Sequence, residues 1–200
     1  MKLLRQITIL IIGFTLVYLT WRSKHEVSLF DAMFWIPLLL TGTILALVTL
    51  YKEIKLYRKE KKLVNFTFTY CSLSFIIIII TLQININSNF SKPTLLRASY
   101  DGDFNGSSID FKTDSTYIFE NFAIGFSTYI YGNYRINQNK ITLDTNNLDN
   151  LIETDKLEIQ KVKTQDRDSI KKEKYLFPIN DKGEIIDYYL SLKVVEDNRG

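Results

Sequence analysis

Three long apolar blocks fill most of the first 82 residues: Ile7 to Trp21, Phe30 to Tyr51 and Leu63 to Leu82. The second and third run for twenty-two and twenty residues, and neither carries a charge deeper than Asp31, in the opening turn of the second. At 1.5 Å per residue, about 20 helical residues cross the roughly 30 Å hydrocarbon core of a bilayer. The first block reaches that length once Leu3 and Leu4 are added, with Arg5 in the first turn, where its stem can carry the charge to the headgroups. In lipid each block must be helical, because only a helix pairs all its backbone groups within one segment. The expectation is a three-helix transmembrane anchor over residues 1–82, with helices at about 3–21, 30–51 and 63–82.

Local signals refine that expectation. Ser28 stands three residues before Asp31, the spacing of a capping box. Pro37 removes a backbone N–H and is expected to kink the second helix about two turns in, and Gly42 permits close helix approach nearby. Thr67, Thr69, Ser72 and Ser74 put hydroxyls along the third, to bond back to their own backbone or across to a neighbour. No intramembrane acid, base or pair of half-helices marks a transport pathway.

Charge sets the orientation. Residues 1–91 hold ten Lys/Arg against four Asp/Glu, and residues 92–200 hold fifteen against eighteen, so the overall +3 describes neither part. The segment Lys52 to Lys62 and the amino terminus together carry eight basic residues, whereas Arg22, Lys24, Lys92 and Arg97 are the four on the opposite side. Basic flanks resist translocation, so the amino terminus is expected in the cytoplasm and, after three crossings, the carboxy-terminal part outside it. The chain is thus read as a multi-pass protein of the bacterial inner membrane. Leu19 to Ser23 offers no small-x-small cleavage site, so the first block reads as an anchor. The basic run 52–62 reads as a positive-inside segment attracted to anionic headgroups, with no nucleic-acid partner.

Past Leu82 the stretch 83–93 is polar and rich in Asn and Ser, and reads as a linker. Over 94–200 apolar residues recur at period two, as in Tyr188, Leu190, Leu192 and Val194, in Tyr117 and Phe119, and in Leu157 and Ile159. One hairpin turns at Asn137 to Asn139, bringing Ile136 and Ile141 to one face, and another turns at Asn180 to Gly183, with Pro178 suited to an edge strand. Residues 163–174 are almost wholly polar and read as an exposed loop, and 147–153 as a short helical turn. Seven or eight short strands in about 105 residues make a small antiparallel barrel or sandwich with enough core to fold.

Gly102-Asp-Phe104, then Tyr131-Gly-Asn-Tyr-Arg-Ile136 and Asn139-Lys-Ile-Thr-Leu143, resemble the small lipocalin-like domains of bacterial envelope proteins, which carry a G-x-Y-x-I-x-x-N-x-I-T-L hairpin. Phe104 stands where true lipocalins have tryptophan. The resemblance covers about forty residues; it implies a lipocalin-like meander and carries over no catalytic residue. Tyr100, Phe111, Tyr117, Phe119, Tyr129 and Tyr131 are candidates to line a pocket or, as such residues more often do, to fill a core.

Chemistry-bearing motifs are few. Asp101, Asp103, Asn105 and Asp110 supply oxygens in a loop that begins like a calcium loop, but position 12 is Lys112 in place of the bidentate Glu, and Asp and Asn also populate tight turns for conformational reasons. One cysteine and one histidine exclude a disulfide framework and a His/Cys zinc cluster. His25 lies in the first loop and Cys71 in the third helix, so neither forms a nucleophile–base pair. No catalytic residue and no cofactor is assigned. The expected role is display of the β domain outside the membrane to bind a partner protein or envelope component. A sensory subunit with a small ligand in the β domain and a toxin-immunity protein are the alternatives.

Overall fold

The structure, a computed structural model, describes residues 2–166 and 169–199. The chain divides into two compact units, Met1–Asn89 and Phe90–Gly200.

The first unit is helical: α1 (Lys2–Arg22), a short extended segment β1 (Glu26–Ser28), α2 (Leu29–Glu60), a 3-10 turn over Leu63–Phe66 and α3 (Thr67–Phe90). All three helices are long and apolar enough to cross a membrane. Ser28 caps α2, its hydroxyl accepting from the Phe30 N–H at 3.2 Å, while Asp31 lies 3.6 Å from Arg22. The helix runs on through Pro37. Ile9, Ile12 and Leu16 form the buried stripe of α1, whereas large apolar side chains on α2 and α3, among them Phe34, Leu40, Ile44, Ile77 and Ile80, are exposed. Two glycines set the packing distance. A Cβ at Gly13 would come within 2.4 Å of the Phe75 ring, which also stacks edge-on against Phe14, and a Cβ at Gly42 would meet Ile12 at 3.0 Å.

Three boundaries differ from the sequence expectation, the first being the start of the third helix, which begins at Thr67 after the 3-10 turn and not at Leu63. The basic run continues α2 to Glu60 and ends where Lys61 adopts a left-handed conformation and donates to the Tyr57 carbonyl. The expected linker 83–93 is helical up to Phe90. Adding a residue to a formed helix gains one hydrogen bond, so polar composition alone does not stop it. Gln83 bonds Asn87, and Ser88 returns its hydroxyl to the Asn85 carbonyl.

The second unit is a closed antiparallel barrel of eight strands: β2 (Thr94–Asp101), β3 (Asn105–Lys112), β4 (Thr116–Ala123), β5 (Phe126–Asn137), β6 (Lys140–Leu143), β7 (Lys156–Asp166), β8 (Ser169–Pro178) and β9 (Leu192–Asp197). Each strand pairs with its sequence neighbours and β9 closes on β2, so barrel, not sandwich, is the outcome. Leu96, Ile109, Phe111, Phe119 and Leu148 in its interior are fully buried, each such side chain contributing about 1.5–3 kcal/mol of transfer free energy. Ile136 faces Ile141 in the β5–β6 hairpin as expected. Gly132 has a steric role there: a Cβ would collide with the Tyr117 phenol and the Asp144 carboxylate, which pair across it.

Several local readings are corrected. Residues 163–174 form the paired strands of a β7–β8 hairpin, whose tip at 167–168 lies outside the described residues. Residues 147–153 form a turn, with Asp149 and Asn150 left-handed and the Asn147 side chain accepting from the Asn150 N–H. Of the alternating run 188–194 only Leu192 to Val194 is strand, since the Asp187 side chain captures the Tyr189 N–H and turns the chain. Pro178 ends β8 opposite Leu157 and beyond the last β8–β9 pair, so its missing N–H interrupts no ladder on that side even though the barrel has no edge. The Asn180 to Gly183 turn forms, with the Gly183 N–H donating to the Asn180 carbonyl.

Candidate functional site

In a barrel whose strands alternate in direction, every second connection lies at the same end. Turns 102–104 and 124–125 and the longer loops 144–155 and 179–191 therefore gather at one rim. The opposite end receives Phe90 to Pro93, the short connections, and Asn198 and Arg199.

The rim loops are apolar outward. Phe104, Ile124, Phe126, Ile186, Tyr188 and Tyr189 are all exposed there, Tyr189 to 93%. The first two turns are tied together, the Ile124 N–H donating to the Phe104 carbonyl at 3.1 Å. Exposed large apolar side chains are ordinary when scattered, but a set gathered on adjacent loops marks an interaction surface. Beneath the rim a cavity of about 170 Å³ is lined by Tyr100, Ser107, Asn121, Leu151, Ile152 and Leu192. Ile152, in its lining, bridges to Leu148, and both are buried among the core residues. Asp149 locks that loop: its Oδ2 accepts from Asn121 Nδ2 at 2.6 Å and from the Thr128 hydroxyl at 2.7 Å.

The six aromatics singled out in the sequence do not form one pocket. Phe111, Tyr117 and Phe119 fill the core, Tyr100 lies at the mouth, and Tyr129 and Tyr131 lie on the outer wall with the Phe90 ring edge-on to both. Burial raises the phenol pKa of Tyr117 above its ordinary value, with the Asp144 carboxylate adding to the effect, and burial pushes that of Tyr131 up to about 12.

The calcium-loop residues are separated. Asp101 accepts from the Asp103 N–H in a tight turn, with Asp103 at φ 66°, and Asn105 bonds Gly102 through its carbonyl. Asp110 lies four residues along β3 from the Asp101–Gly106 pair, facing Arg97, and accepts from Lys112 at 2.7 Å and Thr94 at 2.9 Å. Among the described residues no three His, Cys, Asp or Glu side chains are grouped to hold a metal.

Two polar centres were invisible in the sequence. Lys112 is 2% exposed, and its ammonium donates to the Phe90 and Lys92 carbonyls and to Asp110, using all three N–H bonds. The residue that breaks the calcium pattern thus occupies the carboxylate that pattern needs. Glu53, inside the basic run, is 8% exposed and accepts from the N–H groups of Phe68 and Thr69 and from the Thr69 hydroxyl at the start of α3. Helix N-termini present unpaired N–H groups and favour an anion. At the end opposite the rim, Arg199 chelates Asp197 through Nε and a terminal nitrogen while Lys174 approaches at 2.6 Å, and these cations, Arg199 foremost, hold the Asp197 pKa well below the carboxylate range.

Comparison with protein-family models, curated proteins and solved structures found no match to the chain.

Proposed function

We propose that this chain is a bacterial inner-membrane protein, its amino terminus cytoplasmic, whose three helices anchor a small lipocalin-like barrel on the outer side of the membrane, where the rim binds a partner protein or envelope component without catalysis. The observation that carries the reading is the set of exposed apolar side chains on adjacent rim loops. The apolar surfaces left bare on α2 and α3 support the anchor, because side chains such as Phe34 and Ile77 gain nothing from water and are at home in lipid. The basic segments favour the orientation. Aromatic residues concentrate at protein interfaces, where two torsions fix a large contact area.

A small-ligand sensor is the second reading, favoured by the cavity beneath the rim. At about 170 Å³ it is smaller than the roughly 300–1,000 Å³ of ordinary ligand sites, so at the rim a partner surface is the better match. The test is crosslinking of the full-length protein in its membrane, followed by identification of what comes with it, for the unaltered chain and for a Phe104→Ser, Ile124→Ser, Tyr189→Ser variant. Loss of the crosslinked species in the variant, at unchanged melting temperature, is expected. Equal recovery from both proteins would refute rim binding.

A further inference from the structure

The β7–β8 hairpin is longer than the barrel that holds it. β6 pairs with β7 only through Lys156, Leu157 and Glu158, and β9 pairs with β8 only at Tyr175 and Leu176. From Lys161 to Asp166 and from Ser169 to Lys174 the two strands pair with each other alone, as a ribbon that passes beyond the barrel. It leaves at the end opposite the rim, because Glu158 faces Lys140 at the foot of β6.

The register concentrates charge on one face. Lys161 stands opposite Lys174, and two residues on, Lys163 stands opposite Lys172, so four lysines share a face. Asp197 engages Lys174 at the root, while Lys161, Lys163 and Lys172 are exposed. Like charges directly opposite weaken a hairpin, so this face lowers the ribbon's own stability unless an external anion offsets it. The same lysines repel a second copy of the ribbon, which disfavours self-association through its open backbone edges.

We propose that this lysine face lies on an anionic phospholipid surface beside the point where the chain leaves the membrane. The inference rests on the anchoring role proposed above. Phe90 to Pro93 join the barrel at the end the ribbon leaves, as the Lys112 bonds to Phe90 and Lys92 and the Thr113 bond to Pro93 show. Only residues 83–90 separate that end from the apolar stretch ending at Leu82, about 12 Å of helix. The ribbon from Lys161 to Asp166 measures about 17 Å as extended chain. Each lysine brought to an anionic surface adds to attraction that fades within a Debye length and is screened by salt.

The test uses the full chain carrying Cys71→Ser and Val162→Cys, with a fluorophore on the new cysteine, in vesicles doped with a headgroup quencher. Quenching at least about threefold stronger with about 30 mol % phosphatidylglycerol than in pure phosphatidylcholine is expected, falling to the neutral-lipid value in about 0.5 M salt. Lys161→Glu with Lys163→Glu abolishes the difference while placing opposite charges across from Lys174 and Lys172, so the loss is not unfolding of the ribbon. Equal quenching in both lipids, with the protein floating in carbonate-washed neutral vesicles, overturns the ribbon proposal and leaves the anchor standing. Failure to float overturns both. Quenching that responds only to added acidic protein overturns it in favour of a protein partner.

Discussion

Lys112 shows how one side chain organises the end of the barrel where Phe90 to Pro93 join it. Its charge is removed from water but not left alone, since two carbonyls and Asp110 take its three N–H bonds. Breaking a buried pair by deleting one partner strands the other groups and costs about 3–5 kcal/mol. Lys112→Ala is therefore expected to lower the unfolding free energy of the barrel by about that amount, and Lys112→Met with Asp110→Asn by distinctly less, in denaturant titrations of the purified protein. The tyrosines give a second residue-scale expectation. Tyr117, Tyr129, Tyr131 and Tyr134 all have phenol pKa values raised first by burial. A raised folded pKa means the unfolded chain loses its proton first, so the stabilisation is complete below the unfolded pKa of about 10 and is lost as pH rises through the folded value. Stability that is flat to about pH 10 and falls toward pH 12, with tyrosinate absorbance appearing as the barrel opens, is the expected titration. Tyrosinate absorbance developing fully below that window, with the barrel still folded, would contradict it.

At the scale of elements, Gly13 and Glu53 carry the helical unit. Gly13→Val places methyl groups where the Phe75 ring lies, and overpacking of this kind costs about 1–3 kcal/mol. A lower melting temperature in detergent, recovered in part by Phe75→Ala, is the expected result. Glu53→Ala removes the acceptor for two N–H groups and a hydroxyl at the start of α3; loss of a helix cap costs about 0.5–2 kcal/mol, and faster hydrogen exchange at Phe68 and Thr69 would report it. Legibility in the sequence followed burial. The apolar blocks announced three helices, and period-two runs such as Tyr117 to Phe119 announced strands, because each has a face that must leave water. The helical stretch 83–90 and the ribbon past Gln160 left no such trace: the first buries Ile86 within a composition that is otherwise mostly Asn, Gln and Ser, and the second is defined by backbone pairing of mostly polar residues. The aromatic candidates were legible as a set but not as inward and outward members, because register decides which side of the wall a side chain takes: Tyr117 opposite Gly132 points in, and Tyr131 opposite Ile118 points out. Glu53 and Lys112 stayed hidden for the complementary reason. Each lies in a charged context that reads as solvated, and only the fold brings N–H or carbonyl groups to it.

At the scale of the molecule, everything proposed depends on which side of a membrane the barrel occupies. In the proposed topology three crossings separate the amino terminus from the barrel, which puts the break at Lys61 and Lys62 on the amino-terminal side. The direct measurement replaces Cys71 with Ser, places a single cysteine at Tyr189 or at Lys61, and labels intact spheroplasts with a membrane-impermeant maleimide. The account requires Tyr189→Cys to label at once and Lys61→Cys to label only after permeabilisation. The reverse pattern would put the barrel in the cytoplasm and contradict the proposed outward-facing role.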